Sequence, residues 1–288
     1  MNSKFLKDKV ALVTGAGSPN GMGQAIALQL AKHGADIVVS DIEKGTQDPF
    51  QKNYGYEFGA YRGLDLAVSK IEDLGRKALA ITANVRNSEE VMSLIKTIRK
   101  EFRRLDILVN VAGGAWGTAL IKDYEESEFI KTFDVNMFGT FRVCKYALPY
   151  LLRKKGTIVN ISSMSAIRTN MFYSAYAASK AAIISFTETL AIEYGSRGLQ
   201  AFALLPGMID TNLLKFELSA TSDILNIPIE EVEKSYKDAT PLGSFGKPID
   251  VANLVTFLCS DDASFLTGLS IPVTGGLDIA FPVSEINL

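Results

Sequence analysis

The chain has 288 residues and a formal charge of −2 from nearly balanced acidic and basic side chains, which leaves no basic excess for a nucleic-acid footprint. Hydrophobic residues make up 47% of it, enough to bury the core of one large α/β domain or two small ones. No apolar run reaches the roughly 18–20 residues of a membrane span. The sole histidine, His33, and two distant cysteines, Cys144 and Cys259, offer no zinc-site spacing and no support for a Ser-His-Asp arrangement. Chemistry must then fall to Tyr, Lys, Ser, Asn or carboxylates.

The first eight residues are short and polar and lack the apolar core of a signal peptide, so a soluble, cytoplasmic protein is expected. Val10–Thr14 reads as a strand and Gly21–Gly34 as a helix, with Asp36–Ser40 the second strand. A third strand is expected at Ala78–Thr82, then a helix at Ser88–Arg103, a fourth strand at Asp106–Asn110, a long helical stretch over Ser127–Arg153 and a fifth strand at Thr157–Ser162. Tyr173–Arg197 reads as a helix, Gln200–Leu205 as a strand, Pro248–Cys259 as a helix and Ser270–Val273 as the last strand. Short, continuously apolar strands alternating with helices predict a doubly wound, Rossmann-type, mostly parallel sheet of about seven strands in a single α/β domain. Two segments break this rhythm. Residues 43–63 read as an aromatic- and glycine-rich insertion, either packed on itself or on a partner, or a flap over a ligand; residues 207–246, with a helical patch at Ile229–Tyr236, suit a substrate lid.

Directly after the first strand comes Thr14-Gly15-Ala16-Gly17-Ser18-Pro19-Asn20-Gly21-Met22-Gly23, leading into a helix. Glycines at such a turn let the backbone approach a pyrophosphate, and the helix N-terminus offers unpaired N–H groups. A plain tight turn would use similar residues. The second strand runs into Asp41, whose carboxylate can accept from both hydroxyls of an adenosine ribose and would repel a 2′-phosphate. With no Lys or Arg in the loop, both features favour NAD over NADP, although Lys44 is nearby.

In Ser174-Ala175-Tyr176-Ala177-Ala178-Ser179-Lys180, Tyr176 and Lys180 stand one helical turn apart and share a face. A phenol near its ordinary pKa of about 10 is a poor base at neutral pH, and a nearby ammonium is expected to lower it. A Tyr so tuned can take a proton from an alcohol or give one to a carbonyl.

Taken in order, these pieces resemble the classical short-chain dehydrogenase/reductase family over nearly the whole chain. The resemblance rests on the glycine turn, Asn110-Val111-Ala112-Gly113, Asn136 in Asp134-Val135-Asn136, the strand ending in Ser162-Ser163, Tyr176 with Lys180, Pro206-Gly207, and Thr267-Gly268 before Gly275-Gly276. It implies a catalytic set of Asn136, Ser163, Tyr176 and Lys180. Tyr176 would be the acid/base, Lys180 would bond the nicotinamide ribose, Ser163 would bond the substrate oxygen, and Asn136 would hold a relay water. NAD would be held by Gly15, Gly17, Asn20, Gly21, Met22 and Gly23 in the loop, and by Asp41 and Ile42 at the second strand. Asn84, Val85, Asn110, Ala112 and Gly113 would follow, then Tyr176 and Lys180, with Pro206, Gly207, Ile209 and Thr211 beyond. Substrate contacts are expected from Trp116, Ser163, Ser165, Phe172, Tyr173 and Met208.

The loop carries about two residues more than the usual family pattern, leaving open whether Gly17 or Gly21 takes the middle role. Val111 replaces an Asn, Asn84 an Asp, and Thr274 an Asp. The expected pocket residues are mostly apolar and aromatic, which favours a small-molecule secondary alcohol or ketone that is moderately hydrophobic and cyclic or aromatic, with polyols left open by Asp210, Thr211 and Asn212. The resemblance also implies a homotetramer, or a homodimer, built on the helices around Phe133–Leu151 and Tyr176–Tyr194. Alternatives are a nicotinoprotein that keeps its NAD, given the 43–63 insertion, and an NAD-binding sensor.

Overall fold

The computed structural model describes residues 4–42 and 61–280; the expected insertion therefore lies almost wholly outside the described residues. Seven strands form one sheet: β1 Val10–Thr14, β2 Asp36–Asp41, β3 Ala78–Thr82, β4 Ile107–Asn110, β5 Thr157–Ile161, β6 Gln200–Pro206 and β7 Leu269–Val273. Their spatial order is β3-β2-β1-β4-β5-β6-β7 and every pairing is parallel, with Leu12 of β1 registered on both Val38 and Leu108. β1, β4 and β5 are buried along their whole length, as continuous apolar runs in a sheet covered on both faces must be.

Alternate residues of each strand feed two cores. Ala11, Val13, Ile37 and Val109 face the helices α1 (Met22–Lys32), α2 (Tyr61–Asp73) and α9 (Pro248–Leu258) through Ile26, Leu30, Ala67, Ile71 and Val255. Val10, Leu12, Leu108 and Ile158 face α3 (Ser88–Phe102), α5 (Thr140–Lys154) and α6 (Ser174–Tyr194) through Leu94, Ile98, Ala147 and Leu190. Successive strands are added on one side of β1 up to β3 and on its other side from β4 onward, and that switch in strand order opens a crevice beyond the C-terminal ends of β1 and β4, the place where such sheets take ligands.

Three features differ from expectation. The stretch 127–153 is not one regular helix: α4 (Glu126–Phe133) runs into a π turn at Asp134–Gly139 before α5 begins. Helix α2 lies where the sequence reading assigned no element, carrying Leu64, Ala67 and Ile71 into the core. Segment 207–246 contains two helices, α7 (Asn212–Leu225), capped by the Thr211 hydroxyl, and α8 (Ile229–Ala239). Leu214, Leu218 and Val232 make a small core of their own between them. Among the described residues no helix is long and apolar enough to cross a membrane.

Candidate active site

The crevice is stitched at its base by Thr14, whose hydroxyl accepts from the Val111 and Ala112 N–H groups at 3.2 and 3.3 Å. Gly15 has φ +65°, and a Cβ there would lie 2.6 Å from the Ala112 nitrogen, so only glycine fits this turn. A side chain at Gly23 would collide with the Gly15 carbonyl. The two glycine candidates separate cleanly. Gly17 donates its N–H to Asp41 Oδ2 at 2.6 Å, whereas Gly21 closes a turn onto the Ser18 carbonyl and begins α1. Asn20 is exposed at the tip of that turn and Met22 faces the pocket. Asp41 also accepts from the Ile42 N–H at 2.8 Å; burial raises its carboxyl above the ordinary range while the two N–H groups oppose the rise. Close-approach glycines, a helix N-terminus and a carboxylate with lone pairs to spare fit a dinucleotide.

Asn136 sits inside the π turn, a distortion common at functional sites. Its side chain is fully buried and spans three partners: Oδ1 accepts from the Gly114 N–H, and Nδ2 donates to the Gly114 carbonyl and to Ser179 Oγ, each at 2.9 Å. Thr140 Oγ1 donates to its backbone carbonyl. Asn136 therefore ties the loop after β4 to α6, and only the second lone pair of Oδ1 remains for a relay water. Gly113 lies between Asn136 and Lys180: a Cβ there would sit 2.8 Å from Asn136 Oδ1 and 3.1 Å from Lys180 Nζ.

Ser163 follows β5 and accepts the Ser165 N–H at 3.1 Å, which leaves its own proton to donate. Tyr176 and Lys180 project from α6 into the same pocket. The expected action of Lys180 on the phenol is corrected here. Nζ lies 5.6 Å from the centre of the Tyr176 ring and donates to the Ile161 carbonyl at 2.9 Å. Burial, with the Glu217 carboxylate adding to it, pushes the Tyr176 phenol up to about 12, against a lowering by the Ser163 hydroxyl. Burial pushes Lys180 down to about 8. The helical spacing does bring the two side chains together, but the end of β5 claims the ammonium.

Of the remaining expected residues, Ser165, Tyr173, Met208, Pro206, Gly207, Ile209 and Thr211 line the pocket with Gly113. Trp116 and Phe172 do not. The Trp116 ring packs against Gly114, the backbone N–H of Trp116 donates to Thr132 Oγ1 and Lys131 lies over the ring, so the residue braces the loop from outside the pocket. Phe172 stands in the left-handed region at φ +71° with its carbonyl accepting from Ala119, just before α6. The Asn110 amide points into the sheet and donates to Asn160 Oδ1 and Cys144 Sγ. Asn84 Oδ1 accepts from Arg86 in the turn after β3, and Val85 is buried against Gly139. The sequence reading missed Asn170 and a wall formed by Leu213, Glu217 and Thr221 of α7 with Tyr236 of α8. Its signal was the four-residue spacing of 213, 217 and 221, which a helix at that position turns to one side.

A family model described as Enoyl-(Acyl carrier protein) reductase matches residues 58–278. The 3-oxoacyl-(acyl-carrier-protein) reductase FabG of Thermotoga maritima is 33% identical over 275 residues, spanning 95% of this chain and 99% of that one. The chain belongs to the short-chain dehydrogenase/reductase family. Within it, the cyclohexanol dehydrogenase of a Rhodococcus species is 35% identical over 280 residues, 94% of this chain and 97% of that one. The solved structure of an NAD+-bound xylitol dehydrogenase superposes with a TM-score of 0.84 at 27% identity, covering 94% of this chain and 99% of that one. As a short-chain dehydrogenase/reductase, the protein is an oxidoreductase of the nicotinamide-dependent kind.

Proposed function

We propose that this enzyme uses NAD to interconvert a secondary alcohol and a ketone. The observation that supports the reading most is the convergence of Ser163, Tyr176 and Lys180 on one pocket with Met22, Gly113 and Gly207, at the crevice where the glycine loop ends. A nicotinamide bound there supplies the hydride acceptor for oxidation or the donor for reduction. The chain's own residues manage the proton and the oxygen. Ser163 donates to the substrate oxygen as its charge changes, and Tyr176 takes the hydroxyl proton from an alcohol or returns it to a carbonyl oxygen. Lys180, held by the Ile161 carbonyl, keeps an ammonium beside the phenol below about pH 8. Asn136 and Gly113 hold this group against the loop after β4.

NAD is favoured because Asp41 ends β2 beside the glycine loop, where a 2′-phosphate would meet a carboxylate, and no cation lies between Gly15 and Gly23. A cyclic or aromatic carbon frame is supported by Met164, Met208, Leu213, Leu214 and Tyr173 around the pocket. Exposed Ile130, Phe138 and Phe141 along the α4–α5 run support pairing between copies, and we extend the proposal to a homotetramer, checked by sedimentation. The deciding assay is a panel of secondary alcohols and ketones offered with NAD and with NADP, read by nicotinamide absorbance. NAD-coupled turnover is the expected result. A preference for NADP would sink the cofactor assignment, and no turnover with either would sink the activity.

A further inference from the structure

One carboxylate in the pocket is not used by this chemistry. Glu217 lies on the second turn of α7 and lines the pocket together with Tyr176 and Ser163. Leu213, Glu217 and Thr221 follow each other at four-residue intervals, so one helix face presents an apolar group, a carboxylate and a hydroxyl to the same space. Tyr173, Tyr176 and Tyr236 surround it closely enough for its charge to raise all three phenols. Among the described residues Glu217 has no hydrogen bond and no ion pair. The pocket's lysine, Lys180, is committed to the Ile161 carbonyl.

A carboxylate partly withdrawn from water and left without a donor is costly, and a bound molecule that brings a donor relieves that cost. An anionic substrate would be repelled. The neighbours of Glu217 are neutral hydroxyls, those of Tyr173, Tyr236 and Thr221, rather than further carboxylates, which suits a neutral hydroxyl better than an ammonium. Burial also pushes the Glu217 carboxyl up to about 7, so that near neutral pH it can accept from a hydroxyl or donate to one. We propose that Glu217 is a specificity residue that binds a second hydroxyl of the substrate, so that the preferred substrates are cyclic diols and hydroxy-ketones rather than their mono-functional parents. The inference rests on the alcohol–ketone reading and narrows it.

The test compares cyclohexanone with its hydroxy-ketones, and cyclohexanol with the cyclohexanediols, for wild type and for Glu217→Leu and Glu217→Gln. In the wild type the best hydroxylated compound should exceed its parent in kcat/KM by roughly tenfold to hundredfold, the range expected when a buried acceptor is left unpaired by the parent. The ratio should fall towards one in Glu217→Leu and to an intermediate value in Glu217→Gln. An unchanged ratio across the variants, with turnover retained, overturns the inference and leaves the alcohol–ketone reading standing. Calorimetric binding of the diols in the presence of NAD separates the two further. Glu217-dependent binding without turnover supports the inference and overturns the activity, whereas Glu217-independent binding overturns the inference. A preference for aminocyclohexanol over the diols overturns the hydroxyl assignment.

Discussion

Lys180 and Tyr176 share a pocket without sharing a hydrogen bond: the ammonium donates to the Ile161 carbonyl at 2.9 Å and stands 5.6 Å from the centre of the phenol ring. The i, i+4 relationship thus places a charge near the phenol while the end of β5 sets its position. The phenol oxygen is left to Ser163 and to whatever enters the pocket. Tyr176→Phe removes the proton-transfer group and little else, since the ring keeps its packing against Tyr173. Turnover should drop by about 10²–10⁴-fold while NAD binding, measured by fluorescence titration, stays near wild type. Substantial residual activity would remove Tyr176 from the acid/base role.

The pH dependence follows from the two opposed shifts. With the phenol pushed up to about 12, Tyr176 stays protonated through the neutral range, and ketone reduction, which consumes that proton, is not limited by it. Alcohol oxidation needs the phenolate and must rise with pH toward that value. Lys180, pushed down to about 8, loses its ammonium above that pH, but it makes no hydrogen bond to the phenol, so this loss gives reduction no separate proton requirement. Profiles of kcat/KM in both directions between about pH 6 and 10 should therefore diverge, oxidation climbing while reduction stays level. Parallel profiles would contradict this assignment of the proton.

Asp41 should govern the choice of cofactor. Its carboxylate holds the Gly17 and Ile42 N–H groups and would be the acceptor facing an adenosine ribose. Asp41→Ala should lower the NAD-to-NADP ratio of kcat/KM by roughly tenfold or more, as expected when a charge-assisted contact is lost on one side and a repulsion on the other. Parallel assays with the two cofactors decide it. A wild type that already prefers NADP would show that Asp41 does not read the ribose.

Much of this architecture was legible before the structure because two periodicities carry it. The mostly apolar runs of β1, β4 and β5 call for cover on both faces, and the spacing of Tyr176 and Lys180 puts them on one side of a helix. What was not legible depended on tertiary contacts or on departures from regular period. The π turn around Asn136 adds a residue to the helical ladder without any local composition to mark it. The helix at Tyr61–Asp73 follows the insertion, whose aromatic character masked the Leu64, Ala67, Ile71 spacing. The direction of Trp116 follows from Gly114, whose missing side chain makes room for the indole away from the pocket. Glu217 looked like one charge among several in a mixed segment, and only the packing of α7 over the crevice shows what it faces.

Glu217 also predicts a stability effect with a definite sign. Its carboxyl is pushed up to about 7 by burial, whereas an unfolded glutamate ionises near 4.3. Between those values the native chain holds a proton that the unfolded chain has released. The contribution of this group to stability is fully present below the unfolded value and is lost as pH rises through about 7. Glu217→Gln removes the ionisation while keeping the shape. At about pH 8 it should stabilise the fold by roughly 1–3 kcal/mol, a figure reduced from the full shift because the side chain keeps some contact with water. At about pH 5 the difference should be small, since wild type is then largely protonated in the folded state. Thermal melts of both proteins at the two pH values measure this directly. A variant that is less stable than wild type at the higher pH would mean that Glu217 is held by the fold itself, and its place in the pocket wall would then be structural.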